Sequence, residues 1–234
     1  MNIVNPYAKI IYPKMYRLFS ETKGGILLPD NLKGGIELLQ RVEEYGRVSH
    51  RSEDRQTSDS WKPFISAVVL QHGDWSITEH VSVTVEALVD RGITHEWVRH
   101  RLGAYTQEST RFVNYSKPGH EAQFIKPLGV NATETFWQGA IEHAEASYQA
   151  MIHEHIPPQL ARSVFPNALA SKLIVTYNLR NWRHFFLMRT SKESHPQMRQ
   201  VTIPLLKEFQ ETIPLLYDDI IPESRQIENM RMPR

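Results

Sequence analysis

Apolar and polar positions change their period along this chain, and each change marks an element. Val81, Val83, Val85, Ala87 and Val89 alternate with Ser82, Thr84, Glu86, Leu88 and Asp90. A period of two is the signature of a strand with one buried face, and Gly92 is placed to break it. The β-branched run KLIVTY at 172–177 reads as a buried strand. Elsewhere the spacing is helical. Trp137, Ile141, Ala144, Tyr148 and Met151 predict an amphipathic helix over about 133–153, starting at Thr133 and Glu134, and its stripe reads as core. IELLQRVEEYG at 36–46 predicts a short helix ended by Gly46. Ser60, Trp61 and Pro63 open another, which FISAVVL carries to about His72. Thr94 is placed to cap a helix through HEWVRHR, after which LGAYTQESTR reads as irregular. Two further helices are expected. One covers about 181–190, and one follows Thr202 with Leu205, Phe209, Ile213 and Leu216 on one face, Pro204 in its first turn and Pro214 kinking or ending it. The first forty residues, including KGGILLPDNLKGG, read as irregular with one strand.

Helices and strands mixed without regular alternation predict an α+β fold rather than a doubly wound sheet. The 234 residues show no internal repeat or linker and fit a single domain spanning 1–234. Lys+Arg 27 against Asp+Glu 26 leaves a formal charge of +1, so no global field draws the chain to nucleic acid or an anionic membrane. No apolar stretch approaches a membrane span, and the start MNIVNPYAKIIYPKMYRLF lacks the pattern of a secretory signal, so the reading is cytoplasmic. The absence of cysteine excludes disulfides, thiolate metal sites and any cysteine nucleophile. Eleven histidines are present without an HExxH pair or comparable ligand spacing, so no metal site is expected.

The densest chemistry is Arg99-His100-Arg101 followed, after residues 102–108, by Ser109-Thr110-Arg111. Guanidinium groups hold phosphates in bidentate fashion and stack on rings, and hydroxyls with turn N–H groups complete an anion cradle. The same triplet also suits a solvated basic helix end. Arg162 precedes a Val-Phe-Pro turn, Asn178 and Arg180 sit where a buried strand gives way to a helix, and Arg189 lies about two and a half turns beyond. So many arginines in a near-neutral chain favour focused anion binding. A nucleic-acid-binding module is the non-enzymatic alternative, with Trp, Tyr and Phe stacking bases; balanced charge counts against it.

RHRLGAYTQESTRF resembles the signature of flavin-dependent thymidylate synthases, in which RHR is followed by a spaced Ser-x-Arg. RVS at 47–49, HGDWSITEH at 72–80 and ARSVFPNALASKLIVTYNLRNWRHFFLMR at 161–189 extend the resemblance over about residues 45–218, leaving 1–44 unmatched. It implies a homotetramer with active sites shared between subunits, and FAD bound by Ser49, Ser76, Glu79, Arg99, His100, Arg101, Asn178, Arg180, His184 and His195. It implies contacts to dUMP from Arg99, Gln107, Ser109, Thr110, Arg111, Arg162 and Arg189. Within that set, Ser109 to Arg111 hold the phosphate, Arg162 and Arg189 face the pyrimidine, and Arg99 and Arg189 carry the catalytic roles. NADPH and methylenetetrahydrofolate are the implied co-substrates. Two positions depart from the family pattern: Glu96 stands where Gln is usual and Asp74 where His is frequent. They keep open a related flavoenzyme that methylates or hydroxymethylates another pyrimidine nucleotide such as dCMP.

Overall fold

The structure, a computed structural model, describes residues 1–13, 30–131 and 134–222. In chain order its strands are β1 (Asn2–Ile3), β2 (Tyr7–Tyr12), β3 (Ser82–Asp90), β4 (Ala104–Gln107), β5 (Gln123–Phe124) and β6 (Ala170–Asn178). Its α-helices are α1 (Asp30–Val48), α2 (Trp61–Phe64), α3 (Arg91–Trp97), α4 (Glu134–His153), α5 (Pro158–Ala161), α6 (Leu179–Arg189) and α7 (Pro196–Thr212). An antiparallel sheet in the order β2-β3-β6-β4 organises these elements, and β1 and β5 form a separate parallel pair.

The expected alternation holds. Val83, Val85, Ala87 and Val89 of β3 and Leu173, Val175 and Tyr177 of β6 are all buried, because both strands turn the same face to the helices. On that face α6 and α7 contribute Trp182, Phe185, Phe186 and Phe209, each fully buried. Burying a large apolar side chain contributes roughly 1.5–3 kcal/mol, so this aromatic layer dominates the core. Trp182 satisfies its indole N–H on the carbonyl of Val83 at 2.9 Å. The opposite face is polar and open: Ser82, Ala104 and Thr106 are exposed, and Thr84 and Thr176 share a hydrogen bond of 2.8 Å. A second cluster joins Ile141 and Tyr148 of α4 to Tyr115, Phe124 and Leu169, with Phe165 stacked on Tyr148 at 4.5 Å.

Several boundaries differ from expectation, some for tertiary and some for local reasons. α1 begins at Asp30 and runs through Gly35 and Gly46. Both glycines are packing contacts: a Cβ on Gly35 would lie 1.5 Å from the Thr212 carbonyl oxygen, and one on Gly46 would lie 2.6 Å from the Phe64 ring. Residues 23–29 of the stretch expected to be irregular, and Thr133, lie outside the described residues. Ser60 turns its side chain back to Thr57 instead of capping α2, which continues as a π-helix over Ile65–Gln71. Asp90, rather than Thr94, caps α3 by accepting from the Ile93 N–H at 2.9 Å, so Gly92 falls inside the first turn. Thr94 is buried, with its hydroxyl on the Arg91 carbonyl. The stretch LGAYTQ includes strand β4, which pairs with β6. α7 starts at Pro196 with His195 as its cap, which places Pro204 in the helix interior. Pro204 is exposed, so the carbonyl it leaves without a partner one turn earlier faces water and the helix survives. No described helix is long and apolar enough to cross a membrane.

Gly35→Ala is expected to lower stability by about 2–3 kcal/mol, because the methyl group meets backbone and must push α1 off α7. Gly139→Ala, in α4 with nothing within 4 Å of the added carbon, is the control and should be neutral or stabilising. Urea unfolding midpoints of the two variants measure the difference.

Candidate active site

α3 ends at Trp97 and delivers Arg99-His100-Arg101 as a turn rather than a further helical coil. Leu102 takes φ 65°, a left-handed conformation that costs a non-glycine residue of order 1 kcal/mol. Three contacts over-determine it. Asn181 Nδ2 donates to the Leu102 carbonyl at 3.0 Å, and Tyr105 donates its hydroxyl to the His100 carbonyl. Gly103 lies so close to Tyr177 that an added Cβ would be 2.1 Å from the ring. The hydroxyls of Tyr105 and Tyr177 are 2.5 Å apart and tie β4 to β6 beneath this turn. Arg99, Arg101 and Leu102 are left exposed at its surface.

Asn178 ends β6 and caps α6, its side-chain oxygen accepting from the Asn181 N–H at 2.8 Å. α6 carries His184 and ends at Arg189, which returns to the end of α3. Arg189 Nε donates to His100 Nε2 at 2.8 Å, Nη1 donates to Glu96 Oε2 at 2.8 Å, and Nη2 donates to the Glu96 carbonyl at 3.2 Å. Three N–H donors are committed, and each terminal nitrogen keeps one more to offer. The His184 ring stands edge-on to His100 at 5.9 Å. Burial first, then the Arg189 cation and His184, push His100 down to about 4. At neutral pH it is therefore an uncharged ring that accepts on Nε2 and carries its proton on Nδ1.

The other implied site residues form distinct groups. Thr110 is buried and its hydroxyl accepts from Arg162 Nη1 at 2.9 Å, while Arg111 Nε donates to Gln159 at 3.2 Å and Ser109 Oγ accepts from the Arg111 N–H at 3.3 Å. Gln107 is held by the hydroxyls of Thr94 at 3.0 Å and Ser171 at 3.1 Å. Arg180 pairs with Glu79 at 2.6 Å with both side chains about half exposed, and Ser76 shares the 3-10 segment Trp75–His80 with Glu79. Ser49, just beyond α1, donates to the Gly46 carbonyl at 2.9 Å. His195 sits beside Asp90 at the start of α3, accepting on Nδ1 from the Gln197 N–H at 3.2 Å. That is the opposite end of α3 from His100, about 10 Å away along the helix. Arg162 and Arg189, both implied against the pyrimidine, belong to different groups within one chain. Among the described residues, a cavity of about 420 Å³ is lined in part by Tyr7, Glu108, Tyr115 and Lys172, and another of about 620 Å³ in part by Ile36, Trp61 and Leu215. Sequence reasoning missed Tyr105, Tyr177 and Asn181 as supports of the arginine turn; Tyr105 is five residues from His100, but Tyr177 and Asn181 are too distant in the chain for any local signal to join them to it.

These groups define an α+β protein with an arginine- and histidine-bearing surface suited to phosphate and to an electron-rich ring. The chain belongs to the thymidylate synthase complementing protein family, whose model matches residues 37–215. Curated relatives named flavin-dependent thymidylate synthase agree. The Geobacter sulfurreducens protein is 31% identical over 159 residues, covering 66% of this chain and 67% of its own. The Mycolicibacterium vanbaalenii protein is 30% identical over 210 residues, covering 80% of each chain. The Pyrococcus furiosus protein is 31% identical over 186 residues, covering 77% of this chain and 73% of its own.

The depressed affinity of His100 for protons has a consequence for stability. Between the ordinary imidazole value near 6.5 and about 4, the unfolded chain takes up a proton that the folded protein refuses, so stability falls as pH falls through that window and levels off below it. His100→Gln removes this contribution. Chemical denaturation from about pH 7.5 to about pH 4 should show the stability of the native protein relative to the variant decreasing as the medium acidifies.

Proposed function

We propose that this chain is a flavin-dependent thymidylate synthase acting in the cytoplasm. It would methylate dUMP to dTMP with methylenetetrahydrofolate as carbon donor, NADPH as reductant and FAD as bound cofactor. The observation that carries this reading is Arg189, held between Glu96 and His100 with two N–H donors left over. Aimed at a uracil carbonyl, such donors stabilise the negative charge that develops as the ring is activated. No cysteine exists to add to the ring, so the protein's share is binding, orientation and electrostatics.

The residues present fit the flavin. Arg99 and Arg101 are exposed in the same turn as the apolar, exposed Val98 and Leu102, and Leu187 and Met188 are exposed in the last turn of α6, a combination of charge and apolar surface that meets both a pyrophosphate and a flat ring system. Ser49, Ser76, Glu79, Arg99, His100, Arg101, Asn178, Arg180 and His184 are the residues we assign to holding it; His195, which caps α7 beside Asp90, stands apart from His100. When bound, FAD supplies the hydride for the new methyl group. Ser109, Thr110 and Arg111 take the nucleotide phosphate, with Ser109 a ligand rather than a nucleophile, and Gln107, Arg162 and Arg99 complete the nucleotide contacts. The donor-rich end of Arg189 suits uracil, whose two exocyclic groups both accept, better than cytosine, since the charge of Glu96 is already compensated.

Arg162 is held on Thr110 while Arg189 is held on Glu96 and His100, two distinct hydrogen-bonded sets in one chain, an arrangement that favours sites completed by neighbouring copies, as in a homotetramer. Freshly purified protein should show flavin absorbance and release tritium from 5-tritiated dUMP in preference to dCMP. Arg111→Ala and Arg189→Ala should each reduce turnover by about a hundredfold or more. Mixed and reassociated, the two variants should recover a substantial fraction of activity, because some sites then receive one intact residue from each partner. A colourless protein, or mixing without recovery, would count against the cofactor assignment or the shared site respectively.

A further inference from the structure

Glu96 lies in the last turn of α3, where a carboxylate opposes the helix dipole. Nothing in the helix itself accounts for an acid there. Its side chain is 34% exposed and that of Arg189 is 19% exposed, so the pair is partly shielded from water. Their geometry is specific. One residue grips both terminal nitrogens of Arg189, through its carboxylate and through its own carbonyl, and the third contact is the neutral ring of His100. Glu96 therefore brings the compensating charge, while His100 brings direction alone.

We propose that Glu96 is the positioning residue of Arg189 and its counter-charge, so that Glu96 governs how strongly the site favours an ionised pyrimidine ring over a neutral one. The inference rests on the functional reading above. With Glu96 in place, Arg189 presents oriented donors and almost no net charge. Without the carboxylate, the same donors would carry a full cation and hold an anionic ring too tightly.

Two substitutions separate charge from reach. Glu96→Gln keeps an acceptor for Nη1 and removes the charge; Glu96→Asp keeps the charge and withdraws the acceptor by one methylene. Dissociation constants for dUMP and 5-fluoro-dUMP are measured by titration calorimetry on the flavin-loaded protein as purified, with kcat and melting temperature alongside. Fluorine makes the ring N3 easier to ionise. E96Q is expected to tighten 5-fluoro-dUMP by about three- to tenfold and dUMP by less, the effect of one uncompensated charge at a partly exposed site. E96D is expected to lower kcat by about tenfold or more through misplacement of Arg189, with little change in the ratio of the two dissociation constants. Equal ratios in E96Q and the native protein would overturn the counter-charge, and native kcat in E96D would overturn the positioning role. A melting temperature lowered by more than about 5 °C in either variant would make the contact a folding one and also overturn it. If the unmutated protein binds neither nucleotide, the functional reading itself fails, a result distinct from any difference between variants.

Discussion

The antiparallel pairing of β3 with β6 is the constraint from which the site follows. Nine residues of each strand pair without a break, from Ser82 opposite Asn178 to Asp90 opposite Ala170. The ladder spans about 30 Å. At one end Asp90 caps α3, and at the other Asn178 caps α6, each by accepting an N–H three residues on. The two helices are thus launched from opposite ends of one ladder and run back over its buried face. With lengths of about 10 and 16 Å, they must come close to meeting. They do meet, Glu96 of α3 against Arg189 of α6, and the arginine turn is formed where α3 stops. Each cap contributes only about 1 kcal/mol, yet a shift of the ladder by one residue would bring different side chains to the junction.

What was legible in the sequence was whatever depended on local period. The alternation of β3 and the stripe of α4 are readable because one face of each is buried over many residues. β4 has only four residues with alternating half-burial, and its reason for being a strand is its partner β6, some seventy positions along. The glycines of α1 misled in the opposite sense. Composition marks glycine as a helix breaker, but Gly35 and Gly46 occupy places where Thr212 and Phe64 leave no room for a side chain.

The same division runs through the site. Arg99 to Arg101 and Ser109 to Arg111 stand out as a dense basic and hydroxyl cluster within one stretch of chain. The pairings that orient them are distant in sequence: Arg189 with Glu96 and His100, Tyr105 with Tyr177, Arg162 with Thr110. Glu96 was visible as an unusual residue at its position, while its partner required three dimensions. His195 shows the limit of carrying a role along the chain by order alone. It caps α7 beside Asp90, on the far side of α3 from His100.

The near-zero net charge of the chain conceals arginines in different states of readiness. Arg189 is oriented by His100 and Glu96 and compensated by the Glu96 carboxylate. Arg180 shares an exposed pair with Glu79, a contact that contributes little and leaves the guanidinium open to water. Arg99 and Arg101 have no acidic partner among the described residues and generate the local positive potential that attracts an anion. Long-range attraction, a water-exposed pairing and fixed orientation make different physical demands, and one guanidinium cannot meet all three. Distributing them over a turn, a helix start and a helix end is what the crossing of α3 and α6 on one strand pair makes possible.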